Sequence, residues 1–177
     1  MTNTRDIWLD AGYLAFARGG EAGLKVEVLA RETGISKSSF YHHFADADLF
    51  TEQLLQRHLQ QCRVIARKEQ EARNINPDLI NILVAHRTDL LFNRQLRVLQ
   101  HREIFGRMLK RANEIVGSEF VRIWQQDRAL PLTVMQLEGL FTLPVEDFYL
   151  QINEENLNPL WLARYFNNLK AIAQKFV

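Results

Sequence analysis

The sequence predicts an all-α protein, and two observations lead to that fold class. Between its few glycines and prolines, the apolar residues recur at a spacing near 3.6, which is typical of amphipathic helices, and strict alternation is almost absent. The prolines stand at 77, 131, 144 and 159, and glycines gather at 19, 20, 23 and 34, where they favour helix ends and turns. We expect about nine helices in total.

The elements follow from caps and breakers. The predicted helices span about Thr4–Arg18, Lys25–Thr33, Lys37–His43, a long helix after the cap Asp46 to about Arg73, Asp78–Ser118 with breaks near Asn93 and Gly106, Glu119–Arg128, Val134–Ile152 and Asn158–Phe176. Pro77 fits a first helical turn, because that position needs no backbone NH. Pro144 should kink the helix that contains it.

The composition is that of an ordinary folded protein. Of the 177 residues, 47% are hydrophobic and 24% are charged, which suits compact cores and argues against wholesale disorder. No apolar run approaches the about 18–20 residues of a membrane span, and the N-terminus lacks the pattern of a secretory signal. Cys62 is the single cysteine, so no intrachain disulfide can form, and we expect a cytoplasmic protein without a membrane partner.

One segment carries a functional motif. The residues from Val26 to Phe44, VEVLARETGISKSSFYHHF, predict two short helices that meet at a glycine, which is the anatomy of a helix-turn-helix. Gly34 takes the turn, and Ser36 caps the second helix, whose first-turn NH groups then point outward to where a phosphate can lie. We therefore expect a helix-turn-helix domain of three helices at residues 1–47 and a helical bundle at residues 48–177.

The second helix of the motif has two different sides. Phe40 and Phe44 stand four residues apart and should face inward, whereas short polar residues at its start allow a close approach to base edges. The candidate DNA-binding residues are Lys25, Ser36, Lys37, Ser38, Ser39, Tyr41, His42 and His43. Double-stranded DNA is thus the expected partner, and the larger side chains are expected on the phosphate backbone.

The motif resembles the recognition-helix signature of TetR/AcrR-type regulators. GISKSSFYHHF is followed by ADADLF, and Ala15-Phe16-Ala17-Arg18-Gly19 is similar to the end of that family's first helix, so the resemblance covers about residues 5–55. It implies a homodimer that binds palindromic DNA, and a divergent C-terminal domain that binds a small effector and releases the DNA, most often as a repressor.

The sequence departs from the family pattern in charge and capping. Lys25 and Leu24 stand where a Thr or Ser cap is usual, and Ala47 stands where Lys is usual. The first 50 residues hold five basic and seven acidic residues, a formal charge of −2, although the whole chain carries +1. Because non-specific affinity comes from phosphate neutralisation, we expect modest affinity with a shallow salt dependence.

The last two predicted helices are apolar over a wide arc, which predicts burial on two sides and thus a self-partner. The candidate dimer residues are Phe141, Val145, Phe148, Trp161, Tyr165, Leu169 and Ile172. The alternative is an ordinary internal core.

The middle helices mix apolar and polar residues, as effector pockets do, although an ordinary core has the same composition. The candidate ligand residues are Phe92, Gln95, Leu99, His101, Phe105 and Trp124.

Other sites have weaker support. Adjacent His42 and His43 point in different directions, and His58 with Cys62 lacks a third ligand, so no metal or cofactor is expected and a surface His58 with a buried Cys62 is favoured. An acid-base set of His86, Asp89 and His101 has no supporting spacing, so we expect no enzyme. Two alternatives stay open, namely a DNA-binding protein without a ligand and a small all-α enzyme or adaptor with a relic helix-turn-helix.

Overall fold

The computed structural model describes residues 3–126 and 134–176, and within them every regular element is a helix. The helices are α1 Thr4–Gly19, α2 Val26–Thr33, α3 Lys37–His43, α4 Ala47–Glu71, α5 Ile80–Ala85, α6 Arg87–Val98, α7 Glu103–Gln126, α8 Val134–Gln151 and α9 Pro159–Ala173. Short helical turns at Gly20–Leu24, Ile75–Leu79 and Gln174–Phe176 complete the order. The all-α prediction is confirmed.

Local chemistry explains most helix ends. Asn3, Ser36 and Asn158 each cap a helix by accepting a backbone NH, and Asp46 does the same for α4, where the NH of Leu49 donates to its Oδ1 at 2.7 Å. Gly20 ends α1 with a φ of 60°, a value that L side chains rarely adopt. The first four helices therefore begin and end within two residues of their predicted positions.

The predicted breaks near Asn93 and Gly106 were wrong. Asn93 lies inside α6, where its Oδ1 accepts from the Arg97 guanidinium, and Gly106 lies inside α7. A Cβ at Gly106 would stand 2.7 Å from the Gln100 carbonyl oxygen, so this glycine permits a close approach of the backbone. The interruptions occur at His86 and at 99–102, and Pro77 lies in the turn before α5. Pro131 and Thr133 lie outside the described residues.

The chain divides into two compact units. The first comprises Met1–Gln61 and Phe92–Ala112, and the second comprises Cys62–Leu91 and Asn113–Val177. Helices α4, α6 and α7 contribute residues to both units. In the first unit, the N-terminal helices thus share a core with the first part of α4, the end of α6 and the start of α7. The predicted boundary between the helix-turn-helix domain and the helical bundle, at residue 47, was based on the motif alone, and it stays a prediction.

Stacked rings form the core of the first unit. The Phe92 ring lies 4.4 Å from Tyr13, 4.3 Å from Phe16 and 4.5 Å from His58 between ring centroids. The prediction of a surface His58 was wrong, because this side chain is fully buried and its Nδ1 accepts the Tyr13 hydroxyl at 2.8 Å. The stack joins α1, α4 and α6 through side chains far apart in sequence.

The second unit joins its last two helices through aromatic and polar contacts. The Tyr165 hydroxyl donates to the carbonyl oxygen of Pro144 at 2.8 Å, and the rings of Trp161 and Tyr165 stack at 5.3 Å. Burial and the neighbouring Asp147 raise the pKa of Tyr165 above its ordinary value, which keeps its hydroxyl a donor. Pro144 lies inside α8, as predicted.

Cys62 is buried in the second unit, as predicted. Burial, with a smaller contribution from the Asp89 carboxylate, raises the pKa of its thiol to about 12. The thiolate is the reactive form, so this cysteine is inert near neutral pH.

Because of His58, we expect the free energy of unfolding to fall as the pH falls below 6.5. Burial lowers the pKa of His58 from 6.5 to about 3, so the unfolded chain takes up a proton that the folded chain refuses. The contribution of neutral His58 to the free energy of unfolding is therefore fully present above pH 6.5. It decreases towards pH 3, at about 1.4 kcal/mol per pH unit. Urea unfolding at one protein concentration measures this slope.

The matched variants are His58→Gln and His101→Gln. Glutamine does not titrate, so the first variant should lose the slope, whereas His101 is exposed and its replacement should keep it. Equal slopes in wild type and His58→Gln would contradict the assignment.

Candidate nucleic-acid interface

The turn between α2 and α3 has the geometry that the motif predicts. Gly34 is left-handed, with φ 70° and ψ 13°, a conformation that costs any residue with a Cβ. Thr33 secures the turn on both sides, because its hydroxyl donates to the Leu29 carbonyl at 2.8 Å and accepts the Ile35 NH at 3.3 Å. The direction of α3 is therefore fixed by hydrogen bonds within five residues of the turn.

The two ends of the motif are capped differently. Ser36 has extended backbone geometry, and its Oγ accepts the NH of Ser39 at 3.3 Å. At the start of α2, Lys25 occupies the cap position without a side-chain hydrogen bond. The predicted loss of this cap is confirmed, and the exposed Lys25 keeps only its charge for a contact with DNA.

Helix α3 is held by one buried side. Phe40 is fully buried, with its ring centroid 5.3 Å from Trp8, 5.0 Å from Phe44 and 5.1 Å from Phe50. Phe44 is buried as well, so the inward prediction for both rings is confirmed. Edge-to-face packing of this kind fixes the rotation of a helix, not merely its position.

The opposite side of α3 is exposed and polar. Tyr41 is 57% exposed, with its ring edge-to-face against Phe40 at 5.3 Å. Of the candidate DNA-binding residues, Lys25, Ser36, Lys37, Ser38, Tyr41 and His42 are exposed, and Ser39 and His43 are half-buried. The structure thus brings seven of the eight together, from Ser36 to His43, along one short helix and its cap.

Sequence reasoning missed one partner of this surface. Lys37 Nζ lies 2.8 Å from Glu27 Oε1, which ties the start of α3 to α2. Its hydrogen bond with Lys37 lowers the pKa of the Glu27 carboxyl below its ordinary value. Both side chains are more than half exposed, so the pair is weak and a phosphate can compete for the lysine. Only tertiary contact could reveal a pair ten residues apart.

Residues 9–52 match the model of the tetR family of bacterial regulatory proteins, from within α1 to the first turns of α4. This N-terminal segment is similar to the tetR family. The matched segment contains the helix-turn-helix, formed by α2 and α3, and parts of the two helices on either side of it, α1 and α4. No curated protein sequence matches the chain.

Two solved structures share the TetR fold over nearly the whole chain. One is a protein from Mesorhizobium loti described as a TetR-family transcriptional regulator, with 18% identity, coverage of 97% of this chain and 95% of that chain, and a TM-score of 0.59. The other, from Rhodococcus sp. and described in the same way, has 21% identity, coverage of 96% and 97%, and a TM-score of 0.56. At these identities the likeness concerns the fold, and it agrees with a helix-turn-helix followed by a helical C-terminal domain.

The candidate dimer residues divide by burial. Phe148 and Leu169 are buried, Val145, Trp161 and Tyr165 are half-buried, and Ile172 is 52% exposed. Phe141 lies outside the residues whose side chains are described. The structure adds three leucines that sequence reasoning missed, since Leu143, Leu150 and Leu160 are 74–79% exposed. The spacing of seven between the first two was the signal that could have found them.

The candidate ligand residues also divide. Phe92 and Phe105 are fully buried core rings, Gln95 and Leu99 are half-buried, and His101 is exposed, all in the first unit. Trp124 is buried in the second unit, with its ring 6.3 Å from Phe166. Gln95 Nε2 donates to the carbonyl oxygens of Ala17 and Arg18 at 3.5 and 3.4 Å, at the end of α1. Contact of these residues with a ligand stays a prediction.

His86 and Asp89, which are three residues apart, meet in the second unit. His86 Nδ1 donates to Asp89 Oδ2 at 2.8 Å, and Lys68 Nζ donates to His86 Nε2 at 2.8 Å. Both ring nitrogens are thus engaged within the protein, and His101 belongs to the other unit.

Among the described residues, no three His, Cys, Asp or Glu side chains could hold a metal ion. No helix in that part of the chain is long and apolar enough to cross a membrane.

The Glu27–Lys37 pair predicts how DNA affinity responds to charge. Glu27→Gln should strengthen DNA binding and steepen the dependence of log K on log salt by about 0.9, because Lys37 then reaches a phosphate without competition. Lys37→Gln should have the opposite effect. Fluorescence anisotropy of labelled duplex DNA between low and moderate salt measures both.

Glu32→Gln is the matched control, since it removes one exposed acidic charge from the same helix without touching the described pair. If both glutamine variants change the salt dependence equally, net charge and not the pair is responsible.

Proposed function

We propose that the protein is a transcriptional regulator that binds palindromic duplex DNA as a homodimer and represses transcription until a small effector releases it. The observation that carries the proposal is the exposed polar side of α3, held in a fixed rotation by the buried rings of Phe40 and Phe44. A helix presented in this way fits the major groove, and its N-terminal residues reach base edges.

The individual contacts follow from exposure and chemistry. Ser38 is short and exposed, so it suits a base edge, whereas Tyr41 and His42 extend further and suit phosphates. Lys25 and Lys37 are the exposed cations among the candidate contacts, and Lys37 shares its charge with Glu27. With few cations, affinity depends on the fit of α3 more than on charge, and the salt dependence is shallow.

Dimer formation is supported by apolar surface on α8 and α9. Leu143 and Leu150 are seven residues apart on α8, so they share a face, and Leu160 adds to the apolar surface at the start of α9. Exposed apolar surface of this extent marks an interaction site. A protein that binds palindromic DNA also needs a partner related by two-fold symmetry. A second copy of the same helices satisfies both requirements.

Effector release is supported by the shared core of the first unit. Phe16 of α1 packs against Phe92 of α6 and Phe105 of α7, and Arg102 forms an ion pair with Glu21 just after α1. A displacement of α6 or α7 is therefore transmitted to the DNA-binding helices through packed side chains. An enzymatic role has less support, since hydrogen bonds already occupy both ring nitrogens of His86.

We expect in-vitro selection from random duplex DNA to enrich a palindrome with the wild-type protein and nothing with Tyr41→Ala. The variant removes an exposed phosphate contact and leaves the buried core in place. Tyr41→Phe is the matched control, because it keeps the ring against Phe40 and loses only the hydroxyl. It should recover the same palindrome with weaker enrichment. Enrichment by Tyr41→Ala equal to wild type would exclude α3 as the reading element.

We also expect Leu143→Glu with Leu150→Glu to convert the dimer to a monomer, since charged side chains cannot be buried unpaired in an apolar interface. Sedimentation velocity measures the mass, and circular dichroism checks that the helices remain. Val98→Glu is the control, because Val98 is 56% exposed on α6 and belongs to the first unit, whereas α8 and α9 belong to the second. A persistent dimer of the double variant would place the interface elsewhere.

A further inference from the structure

A cleft of 530 Å³ lies within the first unit, between the start of α4 and the start of α7. Its volume falls inside the range of about 300–1,000 Å³ for small-molecule sites. None of the candidate ligand residues named from the sequence lines it. The helices on its two sides include the one that directly follows α3, so the cleft lies beside the DNA-reading element in the chain.

The floor of the cleft is apolar. The apolar side chains that remain open to water are Leu49 of α4, which is 39% exposed, and the half-buried Ile104 of α7, whereas Leu55 and Met108 are 1% and 6% exposed. Such a floor gains free energy from covering by an apolar group, because hydrophobic stabilisation follows the area removed from water.

The margin of the cleft is cationic. Arg107 and Arg111 stand four residues apart on α7, so they share one face, and both are exposed. Glu52 is the acidic residue that lines the cleft. Arg107 bonds Glu103 at 3.1 Å, but side chains that are 70% and 83% exposed form a weak pair that an anion can replace. Two guanidinium groups on one side suit a carboxylate, which they can bind in bidentate geometry.

We propose that this cleft binds a small amphipathic anion, a carboxylate with a medium-length apolar chain. The apolar chain of the ligand covers Leu49 and Ile104, and the carboxylate accepts hydrogen bonds from Arg107 and Arg111. An occupant that displaces α4 would move α3 as well, because α4 begins only four residues after α3 ends. The consequence for DNA rests on the function proposed above, whereas the binding itself does not.

Isothermal titration calorimetry of the full chain without DNA tests the binding, with decanoate as the probe. Saturable binding at one site per chain is expected. Hexanoate should bind more weakly than decanoate because it covers less of the apolar floor. Arg111→Gln should weaken decanoate binding about fivefold or more, and the double variant with Arg107→Gln should weaken it further, because charged hydrogen bonds to the carboxylate are lost.

Lys110→Gln is the matched control, since Lys110 is exposed on the same helix but does not line the cleft. It should leave the dissociation constant of decanoate unchanged. Decan-1-ol has the same chain without the charge, so its binding should be insensitive to Arg111→Gln. The proposal is overturned if decanoate shows no saturable binding, or if its binding is the same in the double arginine variant as in wild type.

A second measurement separates this site from the DNA-binding proposal. Decanoate added to the complex of wild-type protein with selected DNA should raise the dissociation constant for DNA, and it should do so less with the double arginine variant. Failure to bind any DNA would contradict the proposed function and leave the calorimetric result standing. DNA binding without calorimetric decanoate binding would overturn only the cleft.

Discussion

The burial of Phe40 is the contact on which the exposed polar side of α3 depends. This ring touches Trp8 of α1, Phe44 at the end of α3 and Phe50 of α4, so a helix of only seven residues is held from three directions. A helix this short has little stability of its own, since nucleation is costly and isolated short helices melt. Burial of one phenylalanine contributes about 1.5–3 kcal/mol, which is large compared with the intrinsic stability of two turns. The outward side of α3 can therefore be polar throughout.

The same first unit explains how a distant change can reach α3. Phe92 stacks between Tyr13, Phe16 and His58, which brings α6 into the core that α1 and α4 already share. Gly12 allows the Phe50 ring of α4 to approach α1 closely, because a Cβ at this position would collide with that ring. Side chains packed this closely cannot deform continuously. A shift of one helix therefore forces its neighbours to move.

Charge has a smaller part here than in a strongly basic DNA-binding domain. The first 50 residues carry a formal charge of −2, and Lys37 already has Glu27 as a partner. In the proposed function, long-range attraction to DNA would be correspondingly weak, and discrimination between sequences would depend on the shape and rotation of α3. In the proposed function, an acidic partner beside a lysine that contacts phosphate would lower affinity for every sequence alike, which favours selective over tight binding.

The sequence alone determined the features that depend on near neighbours. Gly34, Ser36 and Asp46 act on backbone groups within three residues, so the bounds of the first four helices and the all-α class followed from caps, glycines and periodicity. The family followed from residue order in one contiguous segment.

Only the tertiary structure decided the features that need partners far along the chain. His58 is buried because Tyr13 and Phe92 enclose it, Glu27 holds Lys37 across a turn, and Lys68 meets His86 from another helix. The cleft is lined from both α4 and α7, for example by Leu55 and Met108, which are 53 residues apart in number. Periodicity reports which side of a helix is apolar but not which helix will cover it, so these contacts had no signal in the sequence.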